Sequence, residues 1–262
     1  YIFYFYDRLK YLMIGGILIS LSTKAEILVL KKIFTLEELG YYSFGILLAT
    51  NLVYPIYAGI SQVFLPVFSG IKENKQNFFS QYLDQIKIAL ILCIVTFSFF
   101  AFFVKDIIFF IWGEKWLGSY IVIFTMLLAM PLRVCWEIAH SGLETLGKWD
   151  LKIKLVSLDI VITLIAAYSG FVLNGFMGVI VAIFLQRSIS TIYTLISFYY
   201  LEGNRITNNI KEIILLSLIA FVYSLAILLA ELNQNSLLIK FGYLIVVILF
   251  FAVLNKSALL NP

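Results

Sequence analysis

The chain predicts an all-α, polytopic membrane protein of about eight transmembrane helices, and three observations carry that prediction. Its 262 residues are 62% hydrophobic and only 13% charged, with a mean hydropathy of +1.00, whereas soluble domains run near 45–50% apolar and about 25% charged. Apolar runs of about 20 residues recur along it, the helix length that crosses a hydrocarbon core roughly 30 Å thick. The runs lack a period of two, and a backbone in lipid must satisfy its own hydrogen bonds, so they read as helices.

In order, the expected spans are about 11–31, 44–68, 86–104, 119–141, 153–173, 176–200, 212–231 and 238–255. The connectors are short, the longest polar ones being 71–85 and 201–211, so none holds an extramembrane domain. Between the third and fourth spans, KDIIFFIWGEKWLGS (105–119) is too short and mixed to cross; it is expected along the interface, with Trp112 and Trp116 at headgroup depth. Pro55, Pro66 and Pro131 fall inside spans, where each removes an intrahelical hydrogen bond and favours a kink. Gly15–Gly16 and the Gly175/Gly178 pair suit close helix contacts.

Cations set the expected orientation. Eleven Lys and Arg residues flank one face of the predicted topology (Arg8, Lys10, Lys72, Lys75, Lys87, Lys148, Lys152, Lys154, Arg205, Lys211, Lys256) against five on the other (Lys31, Lys32, Lys105, Lys115, Lys240). The positive-inside rule then places both ends in the cytoplasm. The net charge of +4 is spread over short loops and is no nucleic-acid signal. Cys93 and Cys135 both lie in apolar spans and read as small core residues. No His/Cys cluster suggests a metal, and nothing in the chain calls for a cofactor. The chain begins at Tyr1 without a signal-peptide pattern and reads as a fragment, with more membrane expected before it.

Six ionisable residues stand inside the apolar runs: Lys24, Glu26, Arg133, Glu137, Asp159 and Arg187. A charge at mid-bilayer costs roughly 2.5–3.5 kcal/mol even on a lenient scale, so such groups are expected to face protein or water. Lys24 and Glu26, two apart, point to different sides of a helix; they either snorkel to the interface or face a hydrated path. Arg133 and Glu137 share a face at i, i+4 and form either a structural ion pair or part of a polar stripe Arg133–Glu137–His140–Glu144. His140, alone of its kind in the chain, is either a hydrogen-bonded interfacial residue or a titrating one. For Asp159 the expected partner is Arg187, and Arg187 is the charge hardest to explain by snorkelling. Guanidinium groups suit bidentate binding of phosphate. No catalytic constellation accompanies them, so no catalytic residue is assigned.

A family resemblance enters with residues 27–71. Leu39-Gly40-Tyr41-Tyr42-Ser43 and Phe64-Leu65-Pro66-Val67-Phe68-Ser69 follow an acidic residue in a helix, a pattern similar to the second half of the bacterial polysaccharide-lipid flippases. These are the O-antigen and exopolysaccharide exporters of the multidrug/oligosaccharidyl-lipid/polysaccharide exporter superfamily. Glu26 stands where that family has Asp. Trp112-Gly113-Glu114-Lys115-Trp116, the turn from Gly142 to Lys148, and Asn174-Gly175 followed by Gly178 resemble later family motifs. The likeness covers about residues 10–200.

What the resemblance implies is a two-lobe transporter with a central cavity. Residues 1–205 would be one six-helix lobe and 206–262 two additional C-terminal helices, the other lobe lying in a missing N-terminal part. The implied activity is flipping of a polyprenyl-diphosphate-linked oligosaccharide across the bacterial inner membrane for surface polysaccharide synthesis, by alternating access among membrane lipids. Arg187, Arg133 and Lys24 are the expected substrate contacts; Glu26, Glu137, Asp159 and His140 are the expected gate or ion-coupling groups. A cation-coupled drug antiporter of the same superfamily is the alternative, and a membrane-embedded transferase a third class.

Overall fold

Thr35 starts the first long helix through a capping box. Its hydroxyl accepts the Glu38 backbone N–H at 3.2 Å, while the Glu38 carboxylate accepts the Thr35 N–H at 2.9 Å, so two donors orphaned at the helix start are met reciprocally. This computed structural model describes residues 13–200 except 19, 22, 23, 25 and 72–74. Among them every regular element is a helix. α1 includes residues 13–18, 20–21 and 26–30. α2 is Leu36–Ile71 and α3 is Lys75–Trp112; a 3-10 turn at Glu114–Ser119 leads into α4, Tyr120–Thr145, and α5 is Trp149–Tyr200.

The expected spans at 44–68, 86–104 and 119–141 fall within α2, α3 and α4, and those at 153–173 and 176–200 within α5. Those at 212–231 and 238–255, and the boundary at 205/206, lie outside the described residues. Two stretches among the described residues are long and apolar enough to cross a membrane, Glu114–Thr145 and Trp149–Phe198.

The second of these is a hairpin. Helical dihedrals fail at Asn174 (φ −152°, ψ 36°) and Gly175 (φ 55°, ψ −137°), the latter a combination that a side chain opposes. The chain reverses there, and the two arms run antiparallel. The Tyr193 hydroxyl on the returning arm reaches the Leu155 carbonyl at 3.5 Å. Nearer the tip the arms meet backbone to backbone, because a Cβ on Gly170 would fall 2.5 Å from the Gly178 carbonyl oxygen. Each arm holds about 25 residues and so spans roughly 37 Å at 1.5 Å per residue.

α4 is the central helix. It packs on α2, α3 and α5, and most of its side chains are buried. Trp136, Ile123 and Leu127 of α4 are enclosed with Ile86 and Leu90 of α3 and Phe184 of α5. The Tyr82 hydroxyl of α3 donates to the Ile138 carbonyl, and its ring lies 5.1 Å from that of Phe198. Pro131 sits inside α4 without ending it. Opposite the next carbonyl, Leu132, the Thr191 hydroxyl donates at 3.0 Å and ties α4 to the returning arm of α5. α4 then stops at a Schellman turn: Lys148 N–H bonds the Leu143 carbonyl at 2.8 Å and Gly147 N–H that of Glu144 at 2.9 Å, with Gly147 left-handed at φ 70°.

The segment 105–119 differs from expectation. Residues 105–112 continue α3, because nothing before Gly113 (φ 82°) breaks the helix, and only 114–119 form a separate 3-10 turn. Trp112 and Trp116 close on Phe44 of α2, with ring centroids at 5.4 and 4.4 Å. At the same end Phe34, in the turn before α2, packs on Phe171 and Phe176 beside the hairpin tip, at 6.0 and 5.3 Å. Among the described residues, a Cβ on Gly15 or Gly16 would meet nothing within 4 Å.

Candidate functional site: a layer of buried charge

Counting residues from the hairpin tip places Asp159 on the outgoing arm and Gln186–Arg187 on the returning arm at a similar depth, about 20 Å along the helices. This is the middle of the helical layer, and the intramembrane charges converge there in two groups. In the first, Arg133 of α4 lies 3.7 Å from Asp159 and 3.3 Å from Glu137. Its guanidinium also covers the Trp136 ring, 3.7 Å from the centroid. Asp159 is 5% exposed and accepts from Gln186 Nε2 at 2.6 Å and from the Tyr193 hydroxyl at 3.3 Å. Arg133 therefore sits between two carboxylates and an indole, and Asp159 is clamped from both α4 and the returning arm.

The second group joins α1 to α5. Glu26, 4% exposed, accepts the Tyr42 hydroxyl at 2.9 Å and lies 3.7 Å from Arg187. That separation is an ion pair without a hydrogen bond. Among the described residues the Arg187 guanidinium donates no side-chain hydrogen bond, although its side chain is only 15% exposed. The five N–H donors of this guanidinium thus stand beside one carboxylate among the described residues.

One expected pairing is corrected. Asp159 pairs with Arg133 rather than Arg187, and Arg187 pairs with Glu26. The cause is the register of the hairpin: it brings Gln186 onto Asp159, and Arg187, one residue or about 100° further around the helix, turns toward α1. The polar stripe also breaks up. Arg133–Glu137 forms as an i, i+4 pair and Glu144 pairs with Lys152 of α5. His140 instead is buried, its ring tilted against that of Trp136 at 3.9 Å, and among the described residues neither nitrogen has a hydrogen-bond partner. Lys24 is exposed where Glu26 is buried, as their spacing implies. Tyr42, Gln186 and Tyr193 complete the layer and carry no charge that would mark them in the sequence.

Residues 9–121 match the model of a family described as Polysaccharide biosynthesis protein. That match covers the first two long helices and the turn into α4. The match bears out the resemblance as far as polysaccharide biosynthesis. Over 228 residues the chain is also 24% identical to a Klebsiella pneumoniae protein described as an uncharacterized membrane protein in the cps region. The similarity covers 84% of this chain and 44% of that relative, so the chain spans less than half of the relative's length. No solved structure matches the chain. Together with the two stretches long and apolar enough to cross a membrane, these likenesses support a polysaccharide-related membrane protein.

Proposed function

We propose that the chain is part of a transporter that flips a polyprenyl-diphosphate-linked oligosaccharide across the bacterial inner membrane for surface polysaccharide synthesis. The observation that carries this reading is the state of Arg187: nearly enclosed, at mid-layer, with its donors unspent and its carboxylate at 3.7 Å. A diphosphate headgroup needs such a guanidinium, the sugars need a polar path, and the lipid tail stays in the bilayer. Lys24 is a further contact in this reading, and Glu26, Glu137 and His140 stand at gate or ion-coupling positions. Arg133 and Asp159, expected from the sequence as a contact and a coupling group, hold each other. The complete transporter holds a second lobe, in keeping with a relative more than twice the matched length. Alternating access would rock the two lobes about a shared site, with both ends of this chain in the cytoplasm. No catalytic step is assigned, because the cluster binds and orients charge and offers no activated nucleophile.

The antiporter reading draws on the excess of carboxylates, three (Glu26, Glu137, Asp159) against two guanidiniums. It ranks second because each carboxylate already has a cation within 3.7 Å. The test is Arg187→Ala in the complete protein, with surface polysaccharide and protein abundance measured together. Polysaccharide should vanish at unchanged abundance, and normal polysaccharide would remove Arg187 from the transport step.

A further inference from the structure

The two arginines of the charge layer are not equivalent. Among the described residues Arg133 faces two carboxylates, at 3.3 and 3.7 Å, and an aromatic ring, whereas Arg187 faces one carboxylate, at 3.7 Å. An incoming anion at Arg133 would meet the uncompensated charge of Asp159 or Glu137, whichever guanidinium face it approached. At Arg187 it would meet one carboxylate, and that carboxylate has a second hold on the protein through the Tyr42 hydroxyl. Resting on the transport reading above, we infer that Glu26 is an exchangeable counter-ion: a diphosphate-class anion takes its place on Arg187, while Arg133 is a positioning residue that stays locked to Asp159.

The geometry favours exchange at one site and resists it at the other. Charge-assisted N–H···O contacts are shortest and strongest near 2.7–2.9 Å. Glu26 stands 3.7 Å from Arg187 and Asp159 the same distance from Arg133. An anion able to close to contact distance therefore gains at either guanidinium, and what separates the sites is how firmly each carboxylate is otherwise held. Tyr42 keeps a hydrogen bond on Glu26 as it withdraws. At the other site Asp159 is held by Gln186 and Tyr193 besides Arg133, and releasing it would break contacts on two helices. Gln186 and Arg187 are neighbours in sequence, so the returning arm of α5 carries the fixed group and the exchangeable one side by side.

The test is binding to the complete protein in lipid nanodiscs, with inorganic diphosphate and farnesyl diphosphate as probes. Wild type, Glu26→Gln, Arg187→Gln and Arg133→Gln are compared, with thermal unfolding run on each. Glu26→Gln keeps shape and the Tyr42 contact while removing the competing charge. It should tighten binding about tenfold, the scale of a single charge-assisted contact. Arg187→Gln should abolish binding, and Arg133→Gln should lower the unfolding temperature while changing the dissociation constant less than about threefold in the folded fraction. Binding of farnesyl diphosphate alone identifies a lipid-borne headgroup, and equal binding of inorganic diphosphate identifies the free anion, both in accord with the exchange. Unchanged or weaker binding by Glu26→Gln, with Arg187→Gln inactive, overturns the exchange and leaves the diphosphate reading intact. If the wild type binds neither probe, both fall.

Discussion

Arg133 and Asp159 show how a buried charge can be structural without being idle. Breaking a buried pair by deleting one partner typically costs about 3–5 kcal/mol, whereas replacing both with apolar groups is often neutral. Asp159→Ala should therefore lower stability by about 3–5 kcal/mol, since Arg133, Gln186 and Tyr193 all lose a partner. The double variant Arg133→Met with Asp159→Leu should recover most of that loss in thermal unfolding, and should also restore transport. Restored folding without transport would give Arg133 a direct substrate role and contradict its assignment as a positioning residue. At this scale the sequence was half legible. The charged residues announced themselves inside apolar runs, but their partners did not, because pairing depends on hairpin register. Tyr42 and Tyr193 were invisible in a chain that is 17% aromatic, where one tyrosine looks like another. His140 went the other way: its spacing suggested a polar stripe, and packing against Trp136 buried it.

At the scale of elements, the α5 hairpin decides what the charge layer looks like, and its tightest point is the Gly170–Gly178 crossing. A side chain there must push the arms apart and carry Gln186 away from Asp159. Gly178→Val should cost about 3 kcal/mol, the upper part of the overpacking range, and should weaken function as well as stability. Gly16→Ala, at a helical position whose Cβ would meet nothing among the described residues, should hold or slightly raise the unfolding temperature. Equal tolerance at both positions in a thermal-unfolding assay would mean that the arms do not close as described. The reversal itself was legible, since the gap between the expected spans at 173 and 176 coincides with Asn174–Gly175. So was the turn after α4, through Gly147. The capping box from Thr35 to Glu38 was legible in principle, as a Thr followed three residues later by Glu before an apolar run. The end of α3 was misplaced because Phe109, Phe110 and Ile111 suit an interfacial segment as well as a continuing helix, and only the left-handed Gly113 distinguishes them.

For the whole molecule, α4 is the axis on which the rest is arranged: α3 and α5 lie against it, and α2 joins from the side of the aromatic end. The turn before α2 and the α5 tip share one end of the layer, through Phe34, Phe171 and Phe176. Tyr41 and Gly118 are likewise adjacent, so the 3-10 turn belongs beside the start of α2. Composition together with apolar runs of about 20 residues that lack a period of two was enough for the helical class. Substrate identity was not legible in composition, since the intramembrane charges nearly cancel, and it rests on family likeness joined to the unspent donors of Arg187. The most direct test is to express the complete protein in a flippase-deletion strain that accumulates polyprenyl-diphosphate oligosaccharide on the cytoplasmic face. The account predicts that the accumulated intermediate falls and surface polysaccharide returns. Persistent accumulation despite normal membrane insertion, accompanied by new resistance to cationic drugs, would contradict it.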